Sequence, residues 1–218
     1  MRSRDIVVFL GPSLDRAGAE AIVSADYRPP ARRGDVFKAA EDGARIIVII
    51  DGVFFQDSAV GHKEVLAVLE MGVTVVGASS MGALRAAELL PFGMEGVGEI
   101  FRLYRDGVLI SDDEVALIFD PVSYRPLSEP LVNIRYNLRA ATKGGYIDEV
   151  SGGKILAAAK SLYFPKRSYN QVLEVAEGLD EEDKEGFRRF LASERRDLKR
   201  EDAVLALMRI KEIAGEIC

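Results

Sequence analysis

Residues 73–90, VTVVGASSMGALRAAELL, decide the fold that this sequence predicts. The stretch begins with mostly β-branched apolar residues, Val73 to Val76, which indicate a short strand buried on both faces. Small or flexible residues follow at 77–82, and Ala83 to Leu90 then has the pattern of a helix that Pro91 ends. A helix that starts after so tight a turn exposes unpaired N–H groups and a partial positive charge. The stretch therefore predicts a strand, a turn that stabilises negative charge, and a helix.

The turn contains a candidate nucleophile. Ala78-Ser79-Ser80-Met81-Gly82 approximates the G-x-S-x-G nucleophile elbow centred on Ser80, with alanine in place of the first glycine. The alternative is structural: Ser79 or Ser80 caps the helix by accepting a hydrogen bond from a backbone N–H two or three residues later. Spacing alone leaves both interpretations open.

Composition excludes several classes of protein. The net charge of −6 argues against a nucleic-acid binder, which needs a surplus of Lys and Arg, although the 29 basic residues leave a local patch open. With one histidine and one cysteine, Cys218, neither an intramolecular disulfide nor the usual zinc spacing is available, and we expect no metal and no cofactor. The apolar run near the N-terminus is too short for a membrane span or a signal peptide. We therefore expect a cytoplasmic protein that contacts no membrane.

Two further strands bring candidate residues to the same sheet edge. Residues 5–10, DIVVFL, predict a first strand whose carboxyl end leads into a loop that contains Ser13. Residues 45–50, RIIVII, predict a buried strand that delivers Asp51 to the rim where open α/β sheets bind ligands. Turn formation with the following glycine is the alternative role for Asp51. Between the two strands, an arginine-containing loop that includes Arg32 could meet an anion or lie in solvent.

The only histidine begins the next predicted helix. Because this helix follows a strand, His62 lies at the rim that also carries Ser80, and a neutral imidazole there could accept the proton of the serine. A packed or solvated side chain is the alternative. Further along, Asp112, Asp113 and Glu114 could cap a helix, hold a metal through water, or orient a base.

The character of the chain changes after Asp120. Prolines punctuate a linker, and helical periodicity without a further strand follows to the end of the chain. We therefore predict an α/β protein with two parts: a Rossmann-like parallel sheet with helices at residues 1–122, and a C-terminal helical domain at 128–218. Tyr163 to Ser168 mixes aromatic and basic residues, which either dock a partner or pack the helices.

The assembled motifs resemble the TfuA-like proteins. They cover the first part of the chain almost continuously and in the same order. The blocks are GASSMGALRAAEL at 77–89, Gly11 to Leu14, Tyr27 to Ala31 with Gly34-Asp35, Ile50 to Phe54, His62 to Glu64, Phe92 to Gly98, and Asp112 to Ala116. The helical part, including Asp197 to Ala203, is also similar. The family usually has alanine where this chain has Ser79.

The resemblance implies a role beside a YcaO protein, which uses ATP to activate a backbone amide that sulfide converts to a thioamide. Members of the family are associated with peptide natural products and with a glycine of methyl-coenzyme M reductase, and the sequence leaves open which of these is modified. The TfuA-like partner is expected to supply sulfur by hydrolysing the C-terminal thiocarboxylate of a ubiquitin-like sulfur-carrier protein. The implied partners are the YcaO protein, the carrier and the peptide or protein substrate, and self-association stays open.

Such a reaction assigns roles to the candidate residues. Ser80 attacks, His62 accepts its proton and Asp51 orients His62, while the backbone amides of Met81 and Gly82 hold the oxyanion. The remaining candidates contact the carrier or peptide: Ser13, Ser79, Lys63, Arg85, Arg32, Asp112 and Asp113. Arg85 has the alternative of pairing with Glu88 three residues later.

Two other functions remain alternatives. One is an adaptor that presents peptide or carrier to YcaO and catalyses nothing. The other is a domain that binds nucleotide or phosphate at the turn of residues 79–82.

Overall fold

A parallel sheet forms the centre of the first half of the chain. The computed structural model describes residues 5–54 and 58–216, so Cys218 lies outside the described residues. The sheet has the order β2-β1-β3-β4-β5, and all its neighbouring strands are parallel. Its strands are β1 (Ile6–Phe9), β2 (Asp26–Arg28), β3 (Ile46–Ile49), β4 (Thr74–Ala78) and β5 (Glu95–Val97). The chain first adds β2 on one side of β1 and then adds β3, β4 and β5 on the other side. The crevice at the carboxyl ends of β1 and β3, where this change occurs, is where such folds bind ligands.

Helices connect the strands and fill the second half of the chain. Those between and after the strands are α1 (Arg16–Glu20), α2 (Asp35–Glu41), α3 (His62–Glu70), α4 (Met81–Leu89) and α5 (Glu99–Arg105). Those of the second half are α6 (Leu131–Lys143), α7 (Glu149–Ser161), α8 (Tyr169–Val175), α9 (Glu181–Ser193) and α10 (Leu198–Glu216). In the part of the chain that the structure describes, none of these helices has the length and apolar character that crossing a membrane needs.

The predicted α/β fold is confirmed, although two strands were missed. The predicted strands at 5–10, 45–50 and 73–76 correspond to β1, β3 and β4. The edge strand β2 ends at Arg28 beside two prolines, and β5 lies in a glycine-rich segment without a run of apolar residues. Both are three residues long. Pairing with a neighbouring strand, rather than local propensity, stabilises strands as short as these.

The chain divides into two compact units. One contains residues up to Asp112 together with those from Lys199 onward, and the other contains Asp113–Leu198. The expected helical domain of 128–218 included α10, but in the structure this helix packs against the sheet. Ala203, Leu207 and Ile210 lie in the same apolar cluster as the strands, since their spacing of three or four residues places them on one face of α10.

The second unit has a core of its own, built from α6 to α9. Ile134, Ile155, Phe187 and Phe190 are buried in it. Arg167, which the sequence placed in a candidate docking segment, is only 1% exposed. It donates hydrogen bonds to the carbonyls of Ala159 and Leu162 and to the carboxylate and carbonyl of Asp113. This arginine therefore holds the second unit together.

Candidate functional site

The turn between β4 and α4 has an unusual backbone. Ser79 adopts the left-handed conformation, with φ at 66°, which residues other than glycine rarely occupy. Ser80 follows as the N-cap residue of α4, yet its side chain makes no capping hydrogen bond. Among the described residues the Ser80 hydroxyl has no hydrogen-bond partner. Helix capping is therefore not the role of Ser80 in this structure.

Glycines bring α4 unusually close to the sheet. A Cβ at Gly82 would lie 1.6 Å from the carbonyl oxygen of Ile49, and one at Gly77 would lie 2.1 Å from the carbonyl oxygen of Gly82. The N–H of Gly82 donates to the carbonyl of Ile50 at 3.4 Å, so it does not serve as a free oxyanion donor as predicted. The N–H of Met81 has no backbone acceptor within the described residues. One of the two predicted donors therefore remains.

Ser80 itself is 2% exposed. The next residue, Met81, lines an open cleft of about 680 Å³, whereas Ser80 is not among the residues of the lining. The cleft lining combines charged and apolar side chains from the starts of α3 and α4 and from two loops. Its members are Arg33, Phe54, Ala59, Val60, Gly61, His62, Met81, Leu84, Arg85, Glu88, Ile110, Ser111 and Asp112.

His62 lies in this cleft, but its partner is not the predicted one. Its Nε2 lies 2.8 Å from a carboxylate oxygen of Glu88, which also accepts a hydrogen bond from Arg85. The Nε of Arg85 donates to the carbonyl of Val60 at 2.9 Å. Arg85 and Glu88 thus form the i,i+3 pair that was the alternative for Arg85, and Glu88 holds the imidazole.

Asp51 is part of a buried polar network instead. Its carboxylate accepts hydrogen bonds from the Ser13 hydroxyl at 2.7 Å and from the N–H groups of Gly11 and Ser13 at 2.9 and 3.1 Å. The Ser79 hydroxyl donates to that of Ser13 at 3.0 Å, and the Nζ of Lys199 lies 4.0 Å from Asp51 Oδ1. The predicted orientation of His62 by Asp51 was wrong, because the carboxylate faces the loop after β1 rather than α3.

The other predicted contact residues are dispersed. Arg32 and Lys63 are exposed and outside the cleft lining, whereas Asp112 belongs to it. Asp113 pairs with buried Arg167 at 2.7 Å, so its carboxylate has a structural partner. Among the described residues no cluster of three His, Cys, Asp or Glu side chains could hold a metal ion.

Sequence reasoning missed two residues of this region. Glu64, beside His62, accepts hydrogen bonds from the N–H groups of Gly34 and Val36 and so caps the start of α2. Lys199 lies more than a hundred residues from Asp51 in the sequence. One signal for Lys199 was present in the sequence. It and Asp202, three residues later, are charged residues on the otherwise apolar buried face of α10.

Comparison with protein families identifies the chain. The model of the TfuA-like protein family matches residues 51–168, which is more than half of the sequence. This chain belongs to the TfuA-like protein family. The predicted resemblance is thereby confirmed, and membership supports a role in the YcaO-associated thioamidation system, with a YcaO protein as partner.

The match places this TfuA-like protein's candidate residues in two groups. Asp51, His62, Ser80 and Glu88 lie inside the matched segment. The residues that surround Asp51 in the structure, Ser13 and Lys199, lie outside it. Among curated proteins, none is similar enough to this TfuA-like chain to count as a match.

Proposed function

We propose that this protein supplies sulfur for thioamidation by hydrolysing the C-terminal thiocarboxylate of a ubiquitin-like sulfur-carrier protein. Family membership supports the wider role in the YcaO-associated system. The single observation that carries the hydrolytic step is the Ser80 hydroxyl, which has no hydrogen-bond partner among the described residues although it starts a helix. A serine that only stabilised the helix would use this oxygen as a cap.

Ser80 is the nucleophile of the proposed reaction. Its Oγ attacks the thiocarboxyl carbon, and His62 accepts the hydroxyl proton. When the C–S bond breaks, the proton passes to the departing sulfur and hydrosulfide leaves. Water then attacks the acyl-serine ester, which releases the carrier with an ordinary carboxylate and restores the serine.

The oxyanion of each tetrahedral intermediate is stabilised at the start of α4. The N–H of Met81, which has no backbone acceptor in the described part of the chain, donates to it. The partial positive charge of the helix terminus adds to this stabilisation. Gly82 donates no hydrogen bond to the oxyanion. Its role is to let α4 approach the sheet closely, because it has no side chain.

Glu88 takes the role that the sequence gave to Asp51. Because it bonds the Nε2 of His62 at 2.8 Å, it fixes the ring and stabilises the imidazolium that forms when the serine proton arrives. Arg85 in turn fixes the Glu88 carboxylate. The carrier tail reaches Ser80 from the cleft, whose lining includes both His62 and Met81.

The burial of Ser80 favours a second candidate function. Ser80 is only 2% exposed and is not part of the cleft lining, so a tail bound in the cleft does not meet the hydroxyl directly. In an adaptor, the cleft would hold the carrier tail or the peptide beside YcaO, and Ser80 would have no chemical role.

Sulfide release from a thiocarboxylated carrier, measured without YcaO, tests the proposal. We expect the wild type to release sulfide and Ser80→Ala to lower the rate at least 10³-fold, as the loss of a nucleophile does. Ser24→Ala, a change at an exposed position in the same unit, is the matched control and keeps the wild-type rate.

Two results would reject hydrolysis at Ser80. Ser80→Ala with the wild-type rate would mean that the serine is not the nucleophile. A wild type that releases no sulfide, but still stimulates thioamidation by YcaO as strongly as Ser80→Ala does, would establish the adaptor.

A further inference from the structure

A cluster of buried polar side chains lies beside the proposed nucleophile. Ser13, Asp51, Ser79 and Lys199 are each no more than 3% exposed. They meet at the carboxyl ends of β1, β3 and β4, where Asp51 accepts hydrogen bonds from Ser13 and faces the Lys199 ammonium. The crevice between β1 and β3 is the ligand position of this sheet order, and here Lys199 of α10 reaches into it.

Stability alone does not explain this cluster. Burying a carboxylate and an ammonium removes both from water, and apolar side chains of similar volume often stabilise a core as well or better. The cluster also holds Ser79 in a backbone conformation that is strained for a residue with a Cβ. Strain and buried charge beside a candidate nucleophile are typical of a site built for positioning.

The bonds of the cluster lead to Ser80 in three steps. Lys199 balances the charge of Asp51, Asp51 accepts from the Ser13 hydroxyl, and the Ser13 hydroxyl accepts from Ser79. Ser79 precedes Ser80, so its fixed left-handed backbone determines where the Ser80 hydroxyl and the Met81 N–H lie.

We propose that Lys199 is a positioning residue for hydrolysis at Ser80, acting through Asp51, Ser13 and Ser79. The inference rests on the proposed function. Without the ammonium, the buried carboxylate loses its counter-charge, its loop shifts toward solvent, and the Ser79 turn loses its anchor. A displacement of about 1 Å at a nucleophile lowers turnover on the order of 10²-fold.

The effect is expected on kcat rather than on KM. The cleft lining contains none of the four cluster residues, so the surface that binds the carrier tail is unchanged. We therefore expect Lys199→Met to lower kcat for sulfide release about 100-fold and to leave KM within about twofold. A general loss of folded protein would instead lower the amount of active enzyme and leave the turnover of the folded fraction unchanged.

The test compares three variants of the full chain with the wild type. Lys199→Met removes the ammonium, and the double variant Asp51→Asn with Lys199→Met removes both charges, so no buried charge is left uncompensated. Arg200→Met is the matched control, because Arg200 follows Lys199 in α10 and forms only an exposed ion pair, with Asp15 at the start of α1 in the same unit. Each is assayed for sulfide release from thiocarboxylated carrier and for thermal unfolding.

The outcomes separate this inference from the proposed function. We expect the double variant to unfold near the wild-type temperature while its kcat stays about 100-fold low, and Arg200→Met to match the wild type. If the double variant recovers wild-type kcat together with stability, the ion pair is structural and the inference is overturned. The double variant provides the same test even if Lys199→Met alone does not fold. A wild type that releases no sulfide rejects the proposed function, whatever the variants do.

Discussion

A methyl group at Gly82 should push α4 away from the sheet. The Cβ of Gly82→Ala would lie 1.6 Å from the carbonyl oxygen of Ile49, and real Cβ atoms essentially never come within 3.0 Å of such an atom. Helix and strand must therefore separate by about 1.4 Å or more. Neither the Ile49 carbonyl nor the first turn of α4 can rotate aside, because both belong to the backbone of packed elements.

The expected loss of stability follows from this geometry. Overpacking a core typically costs about 1–3 kcal/mol and more where backbone must move, so we expect about 3 kcal/mol or more for Gly82→Ala. At roughly 2–4 °C for each kcal/mol in a chain of this size, the unfolding temperature should fall by about 6–12 °C. Thermal unfolding followed by circular dichroism measures the change.

Gly215→Ala is the matched control. Gly215 lies in α10 of the same unit, and a Cβ there meets nothing within 4 Å among the described residues. Alanine favours the helix over glycine by up to about 1 kcal/mol, so the control should be neutral or slightly stabilising. Gly82→Ala that unfolds within about 2 °C of the wild type would refute the close approach of helix and strand as the reason for this glycine.

Three other changes have definite expected results. Burial raises the pKa of Asp202 to about 6 from 3.8, despite bonds from the N–H groups of Glu99 and Ile100, so protonation favours the folded state. Stability should rise as the pH falls from about 7 to 4, by about 2–3 kcal/mol more in the wild type than in Asp202→Asn, measured by urea unfolding at each pH. Arg167→Met should destabilise the second unit by about 3 kcal/mol in urea, because a buried arginine leaves its acceptors unpaired, whereas Arg188→Met, at an exposed pair, should change stability by less than about 1 kcal/mol. Glu88→Gln should lower sulfide release about 10⁴-fold without loss of stability, and a wild-type rate would remove Glu88 as the partner of the base.

Most of the sheet was predictable because its central strands are apolar runs. All residues of Ile46–Ile49 and Ile6–Phe9 are buried. A strand that is buried on both faces has a continuous apolar run, which can be recognised from the local sequence alone. Glu95–Val97 is instead a strand only through its pairing with Val76 to Ala78. A local sequence window contains no signal for such a pairing.

The candidate site was predictable in its residues and not in its pairings. Spacing placed Asp51, His62 and Ser80 at one sheet edge, which follows from parallel topology. Which neighbour each side chain bonds depends on loop paths, and these turned Asp51 toward Ser13 and His62 toward Glu88. Glu88 had been considered only as a partner for Arg85, because i,i+3 spacing is visible in a sequence and the contact between α3 and α4 is not.

The extent of the family match has a consequence for how the site is built. The match begins at Asp51, two residues after β3, and ends at residue 168, so it includes neither β1 nor α10. β1 leads into the loop that bonds Asp51, and α10 supplies Lys199 and the Asp202 carboxylate that accepts from the first N–H groups of α5. A fragment limited to residues 51–168 would leave β4 without its neighbour β3 and Asp51 without Gly11, Ser13 and Lys199. The chemistry proposed at Ser80 therefore needs β1, the loop that follows it, β3 and α10, since these hold the turn from which the serine acts.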